Sequence, residues 1–259
     1  MKLKNFFFIG ILLYTENVMA FEVTHDFLVH IGIFDAAKVN FSYQMNLHDY
    51  GIHSQVETNG FFNTLYPFAA QYDTSGIISK DNLITRDYQY LSRSRSKTRS
   101  KQVIFDDKGV PLSQVVISNN KKKTKTFKPS PTPADTFDLQ TIMMKIAYQY
   151  NKLGFCASNM AVYDGKRRFD VEVSDLGDDV LPKIELSPFA GKAALCSMHI
   201  KKVLNEEDDA LWNFAANKPI DFWIMVDEKT GRPFIAKVRI KETPLGELNA
   251  YATNVYVRE

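Results

Sequence analysis

The chain is poor in the residues that most often announce chemistry. Its 259 positions hold two cysteines, two tryptophans and five histidines. Cys156 and Cys196 do not form a C-x-x-C pair and no histidine adjoins either, which argues against a zinc or redox site. There is no G-x-S-x-G elbow, no H-E-x-x-H, no P-loop and no dinucleotide fingerprint. His25 and His30 are five apart, as are His48 and His53, and His199 stands alone; such spacing reads as surface or interface residues rather than ligands. Acidic pairs such as Asp178-Asp179 fall in apparent turns. No catalytic residue, metal ligand or cofactor site is therefore expected, and the chain reads as a non-enzyme. A hydrolase site assembled only in three dimensions ranks last but stays open.

After residue 20 there is also no apolar run near the ~20 residues that a membrane-crossing helix needs. What precedes that point is a short leader. Lys2 and Lys4 begin it, FFFIGILLY follows, and Val18-Met19-Ala20 places small or moderate side chains at the cleavage positions. This is the pattern of a secretory signal, with cleavage expected after Ala20 and a soluble periplasmic or secreted product. Residues 21–259 are expected to form a single exported β domain. In an oxidising compartment, Cys156 and Cys196 are expected to pair. Closing a loop of about 40 residues stabilises a fold by at most ~4 kcal/mol in the chain-entropy picture.

The body of the chain alternates with period two. Val23 to Ile33, Ala37 to Leu47 and Ile52 to Glu57 read as an antiparallel meander, followed by strands at Gln71–Ile78 and Leu83–Leu91. Between them, Phe62, Leu65 and Tyr66 share one side of a short helix stopped by Pro67. That helix is expected to plug one end of the sheet, or else to form an aromatic tip touching a membrane or apolar ligand. Near the end, Phe222–Val226, Phe234–Ile240 and Leu248–Val257 form a three-stranded meander.

The stretch from Ala134 to Val173 carries the one long helical period. Leu139, Ile142, Met143, Ile146, Ala147, Tyr150 and Leu153 form its apolar stripe. Asp135, Thr136 or Asp138 caps its start and Gly154 suits the left-handed position past its end. A hairpin turning at Asp164-Gly165 follows, then a loop at Asp175–Asp179 and a strand at Ala193–Val203. The whole predicts a mainly β fold: a large curved antiparallel sheet, half-barrel or sandwich-like, with one main amphipathic helix packed on it and pinned by the Cys156–Cys196 bridge.

Several short pieces in order resemble a family of exported bacterial proteins known as a domain of unknown function, DUF3108. They are Asp135-Thr136-Phe137-Asp138, Cys156, Val162 to Asp170, Gly191 to Cys196, Phe222-Trp223-Ile224, Arg232-Pro233 and Pro244-Leu245-Gly246. The resemblance implies a periplasmic, half-barrel antiparallel fold and carries over no catalytic residue.

Charge is segregated. Between Arg86 and Lys128 stand twelve Lys or Arg and three acidic residues, although the whole chain is only +2. Within SRSRSKTRSK, residues Arg93, Arg95, Lys97, Arg99 and Lys101 alternate with Ser and Thr. On one strand they would share a face that attracts phosphates, such as those of anionic envelope lipid. Nucleic acid is not an expected partner, because that face lacks aromatics for base stacking. A solvated edge strand that blocks aggregation is the competing explanation. Two functions follow as expectations: an envelope protein binding an apolar or amphipathic ligand or supporting envelope integrity, or a secreted protein docking an anionic partner through the basic strand.

Overall fold

The computed structural model describes residues 21–80, 82–127, 136–164, 168–202 and 218–258. The leader, the prolines at 129, 131 and 133, Asp135 and Gly165 lie outside them. Strands β1 (Phe21–Ile31), β2 (Phe34–Met45) and β3 (Asp49–Thr58) lead through helix α1 (Gly60–Leu65) to β4 (Phe68–Ser79) and β5 (Asn82–Ser94). Strands β6 (Thr98–Phe105), β7 (Pro111–Ser118) and β8 (Lys121–Thr126) complete the first half. The second half has β9 (Thr136–Phe137), α2 (Leu139–Leu153), β10 (Ser158–Tyr163), β11 (Arg168–Leu181), β12 (Gly191–Lys202), β13 (Ile220–Val226), β14 (Pro233–Thr243) and β15 (Gly246–Arg258).

All fifteen strands belong to one sheet, in the order β8 back to β1, then β15 back to β9. Every pair is antiparallel except β9 with β10. The first and last strands are neighbours, with Val23 opposite Val257, so two meanders are zipped together by β1 and β15. The sheet curves around α2 without closing into a barrel. Its second edge comes against the inner side of β5 and β6, where Tyr163 packs with Tyr88, Val103 and Phe105. There the Lys101 ammonium donates to the Asp164 carbonyl at 2.8 Å.

Period-two burial follows from this. Cross-strand partners Val23, Tyr43 and Ile52 face inward with α2, while their chain neighbours face out. The core joins both meanders through Ile142, Met144 and Ile146 of α2, all nearly inaccessible. This helix is rotated from the sequence expectation. Gln140, Thr141 and Met144 are buried, whereas Leu139 and Leu153 are exposed. The reason is polar. Asp138 caps α2 and has no exposed surface. Its carboxylate accepts from Thr74 Oγ1 at 2.8 Å, Thr85 Oγ1 at 2.9 Å and the backbone N–H of Gln140 at 2.9 Å, and also from Thr141. Gln140 bonds Thr74 and Ser54, and the Tyr50 hydroxyl meets Thr85 and Thr141. These bonds turn the polar first turn of the helix toward β3, β4 and β5. Tyr50 reaches them because Gly76 leaves room: a Cβ there would lie 2.4 Å from the Tyr50 ring.

At the other end Gly154, left-handed at φ 72°, stops α2 as expected. Cys156 then joins Cys196 of β12 in a disulfide, with Cα atoms 6.3 Å apart. The Asp175–Asp179 segment is not a loop. It is a bulge inside β11, which keeps pairing with β12 on both sides. Polar, glycine-containing composition suggested a break, but one irregularity at Gly177 absorbs it. The Lys121–Lys125 run forms β8, an exposed strand at the sheet edge, where lysines discourage edge pairing.

Replacing Asp138 by alanine removes a cap and strands several buried donors, so a loss of about 3 kcal/mol or more is expected in urea unfolding. Reduction of Cys156–Cys196 is expected to lower stability by ~2–4 kcal/mol in the same assay. Unchanged midpoints would show that these groups do not secure α2.

Candidate binding surface

The SRSRSKTRSK stretch does not run as one strand. β5 ends at Ser94 and β6 begins at Thr98, with a turn between them closed by the Ser94 N–H to the Lys97 carbonyl at 2.8 Å. Alternating Ser and Arg fits a strand, but short hydroxyl side chains also stabilise turns by bonding nearby backbone, as Ser94 Oγ does with Lys97 O. The five cations therefore separate. Arg93, opposite Thr98, faces away from α2; Arg95 and Lys97 sit in the turn; Arg99 and Lys101, opposite Ser92 and Tyr90, face inward. Nor is this an edge, because β6 pairs with both β5 and β7. Register instead collects Arg99, Lys101, Lys121, Lys123 and Lys125 on one face of β6 and β8. Lys101 is occupied with Asp164, and Lys125 lies 4.8 Å over the Phe127 ring.

The space beneath the helix is filled by the core described above. Two concavities lie on the opposite side of the sheet. One, of about 620 Å³, crosses the face of β1–β5 turned away from α2. Leu28, Ala69 and Leu91 give it apolar surface, and Lys38 and Arg93 stand on it with Glu57. Asn40, Gln55 and Gln71 are direct cross-strand partners and form a line of amides across it. A second groove of about 500 Å³ continues over the same face with Ser42, His53, Asp73 and Gln89. His53 Nδ1 and Asp73 are 2.7 Å apart. The lining is amphipathic: aliphatic side chains beside amides and cations, suited to ligands with both characters. Sequence reading missed this because each contributing residue is an ordinary outward polar position of a strand; the signal is their register, which needs the pairing.

Other clusters are internally satisfied. Trp223 donates to Asp179 at 2.8 Å, and the Lys237 ammonium fills the space between the Trp223 and Tyr251 rings at 4.9 and 5.1 Å. Among the described residues, the one group of three potential metal ligands is Cys156, Asp175 and Cys196. Both sulfurs there are spent in the disulfide.

Two histidines depart from the surface expectation. His30 is buried with Nδ1 3.1 Å from Asp35, against the Tyr251 ring. His25 is 2% exposed, packed by Phe27, Phe41, Tyr43 and Phe234, and neither ring nitrogen has a hydrogen-bond partner among the described residues. Both lie on β1, at the seam between the first and last strands. Burial lowers the His25 pKa to about 4, offset only in part by the Phe41 backbone and the Asp26 carboxylate. The unfolded imidazole titrates near 6.5, so between these values the unfolded chain binds the extra proton. Stability is then full above about pH 6.5 and falls toward pH 4, by about 2–4 kcal/mol from this group. Comparing wild type with His25→Leu in urea at pH 7 and pH 4 should show that difference; equal pH slopes would refute it.

Comparison with known proteins adds three findings. No curated protein matches the sequence. A solved β-barrel-like protein of domain of unknown function DUF1849 from Brucella abortus is similar in structure at 10% identity. The match covers 93% of this chain and 99% of that one, with a TM-score of 0.48. The family described as "Protein of unknown function (DUF3108)" matches residues 26–253, and the chain belongs to it.

Proposed function

We propose that this protein is a non-enzymatic, exported component of the bacterial cell envelope that holds an amphipathic envelope ligand on the outer face of β1–β5. One observation carries the reading: the groove of about 620 Å³ that places Leu28 and Leu91 beside the amide line and the cations Lys38 and Arg93. An acyl or other apolar portion would lie on the leucines, and a hydroxyl- or phosphate-bearing head would meet Asn40, Gln55, Gln71 and Arg93. The signal-like leader and the disulfide support an oxidising compartment.

A second reading, docking of an anionic partner, is favoured by the cations around the β5–β6 turn. Among the described residues, Arg93, Arg95 and Lys97 make no ion pair with a carboxylate.

The test is recovery of the protein from an envelope fraction, solvent extraction and mass spectrometry of what is released. A lipid or lipid-linked molecule near stoichiometric amount is expected, depleted at least tenfold in Leu91→Asp and in Arg93→Glu, by the worth of a buried aliphatic contact or charged hydrogen bond. Protein that carries nothing and takes up no lipid after delipidation would sink the groove reading.

A further inference from the structure

In an antiparallel meander, alternate turns fall on the same rim of the sheet. The β1–β2, β3–β4, β5–β6, β7–β8 and β14–β15 connections therefore share one rim. Among the described residues, apolar side chains project there exposed. Ile33 is 90% exposed, Tyr66 71%, Leu245 64% and Phe61 56%, with Phe34 and Leu65 also exposed. Helix α1 buries none of its residues, so it does not plug the sheet. The patch is continuous. Gly32 N–H donates to the Glu247 carbonyl, bringing the Leu245 turn beside Ile33, and the Phe34 ring lies 5.8 Å from Phe61.

Cations border it. The Arg95 guanidinium donates to the Thr64 carbonyl of α1 at 3.1 Å, which fixes the basic turn against the aromatic helix. Lys97 stands in the same turn. The β7–β8 turn joins it through the Asn119 N–H to the Thr98 carbonyl at 3.1 Å, bringing Lys121 and Lys122 alongside. Among the described residues none of these four cations has a carboxylate partner. Among the described residues the nearby acids are mostly engaged: Asp35 by His30, Glu247 by Asn249 and Glu242 by Lys218, while Glu57 is exposed on the outer face.

We propose that this rim docks on the surface of an anionic phospholipid bilayer, with Ile33, Phe34, Phe61, Leu65, Tyr66 and Leu245 entering the headgroup–acyl boundary. Arg95, Lys97, Lys121 and Lys122 bind lipid phosphates around them. Apolar insertion and a cationic border are the two signals that together give stable peripheral attachment. Charge selects the occupant: four cations without a carboxylate partner among the described residues match a negative surface better than a neutral apolar one. Arg93 both borders the rim and lines the outer groove, so docking would set the groove's end at the bilayer surface. The proposal rests on the envelope reading above and adds the partner surface.

Co-sedimentation of residues 21–259 with vesicles of phosphatidylglycerol and phosphatidylethanolamine, against phosphatidylcholine vesicles, tests it. Binding to the anionic vesicles alone is expected, weakening as salt rises. Arg95→Gln with Lys97→Gln should weaken it by about tenfold or more, and Ile33→Asp with Phe61→Asp by at least as much. All four side chains are exposed, so circular dichroism should confirm that both variants fold. Leu91→Asp in the groove and Lys108→Gln with Lys229→Gln on the opposite rim should bind as wild type. No anionic binding, equal binding to phosphatidylcholine, or binding indifferent to the rim variants overturns the proposal. So does a dimer in sedimentation velocity that Ile33→Asp with Phe61→Asp disperses, because the rim would then serve a second copy. Because Leu91→Asp reads lipid capture and not docking, the groove and rim readings fail separately.

Discussion

The structure depends on the way α2 is held at both ends by different halves of the sheet. At its start, the Asp138 carboxylate gathers Thr74 and Thr85 from β4 and β5 with the first turn of the helix. At its finish, Cys156 is bonded to Cys196 of β12. A fifteen-stranded antiparallel sheet has no reason of its own to choose one curvature, since each ladder specifies only its neighbour. A helix fastened to the first meander by a polar cluster and to the second by a covalent bond sets the distance between them. The core then fills the space so defined, and the pairing of β1 with β15 completes the circuit.

That arrangement explains which parts of the molecule were legible from the chain. Strand alternation, the helix, its Gly154 stop, the disulfide and the curved antiparallel class all follow from local period, local caps or simple cysteine arithmetic. The helix face did not follow, because hydropathy treats Gln140 and Thr141 as outward residues. Only the strands opposite show that their polar groups have buried partners. The burial of His25 was hidden for a related reason: its aromatic surroundings come from β1, β2 and β14. The Ser/Arg run failed differently, since its alternation fits two local structures and nothing within ten residues decides between them.

The features proposed to carry function sit mostly where the sequence signal was weakest. The amides Asn40, Gln55 and Gln71 are unremarkable individually and become a line only through register. The basic residues were conspicuous, yet their meaning depended on which ones share a face. Arg95 is held against α1 by the Thr64 carbonyl, whereas Lys101 is occupied by the Asp164 carbonyl.

The two rims of the sheet also differ in what they can tolerate. On the rim holding the β2–β3, β6–β7 and β13–β14 turns, Asp49, Asp106 and Asp227 close the turns with side-chain hydrogen bonds to neighbouring residues. Those turns are self-satisfied polar structures whose hydrogen bonds are already spent. On the other rim, side-chain bonding at α1 runs through Thr58, which lies at its base and ties it to Tyr66 and Phe68. Its apolar residues are left pointing outward. Helix α1 is six residues long and buries none of them, so beyond the contacts of Phe61 and Phe62 with Phe34 its exposed aromatics add little to folding. What does hold it is the backbone bond to Ala36, the Thr58 hydroxyl and Arg95. A segment anchored by polar bonds so that its apolar side chains stay outside costs stability in water. Under the proposed docking that cost falls when an apolar layer covers the rim, and the cations beside it favour a negative covering surface.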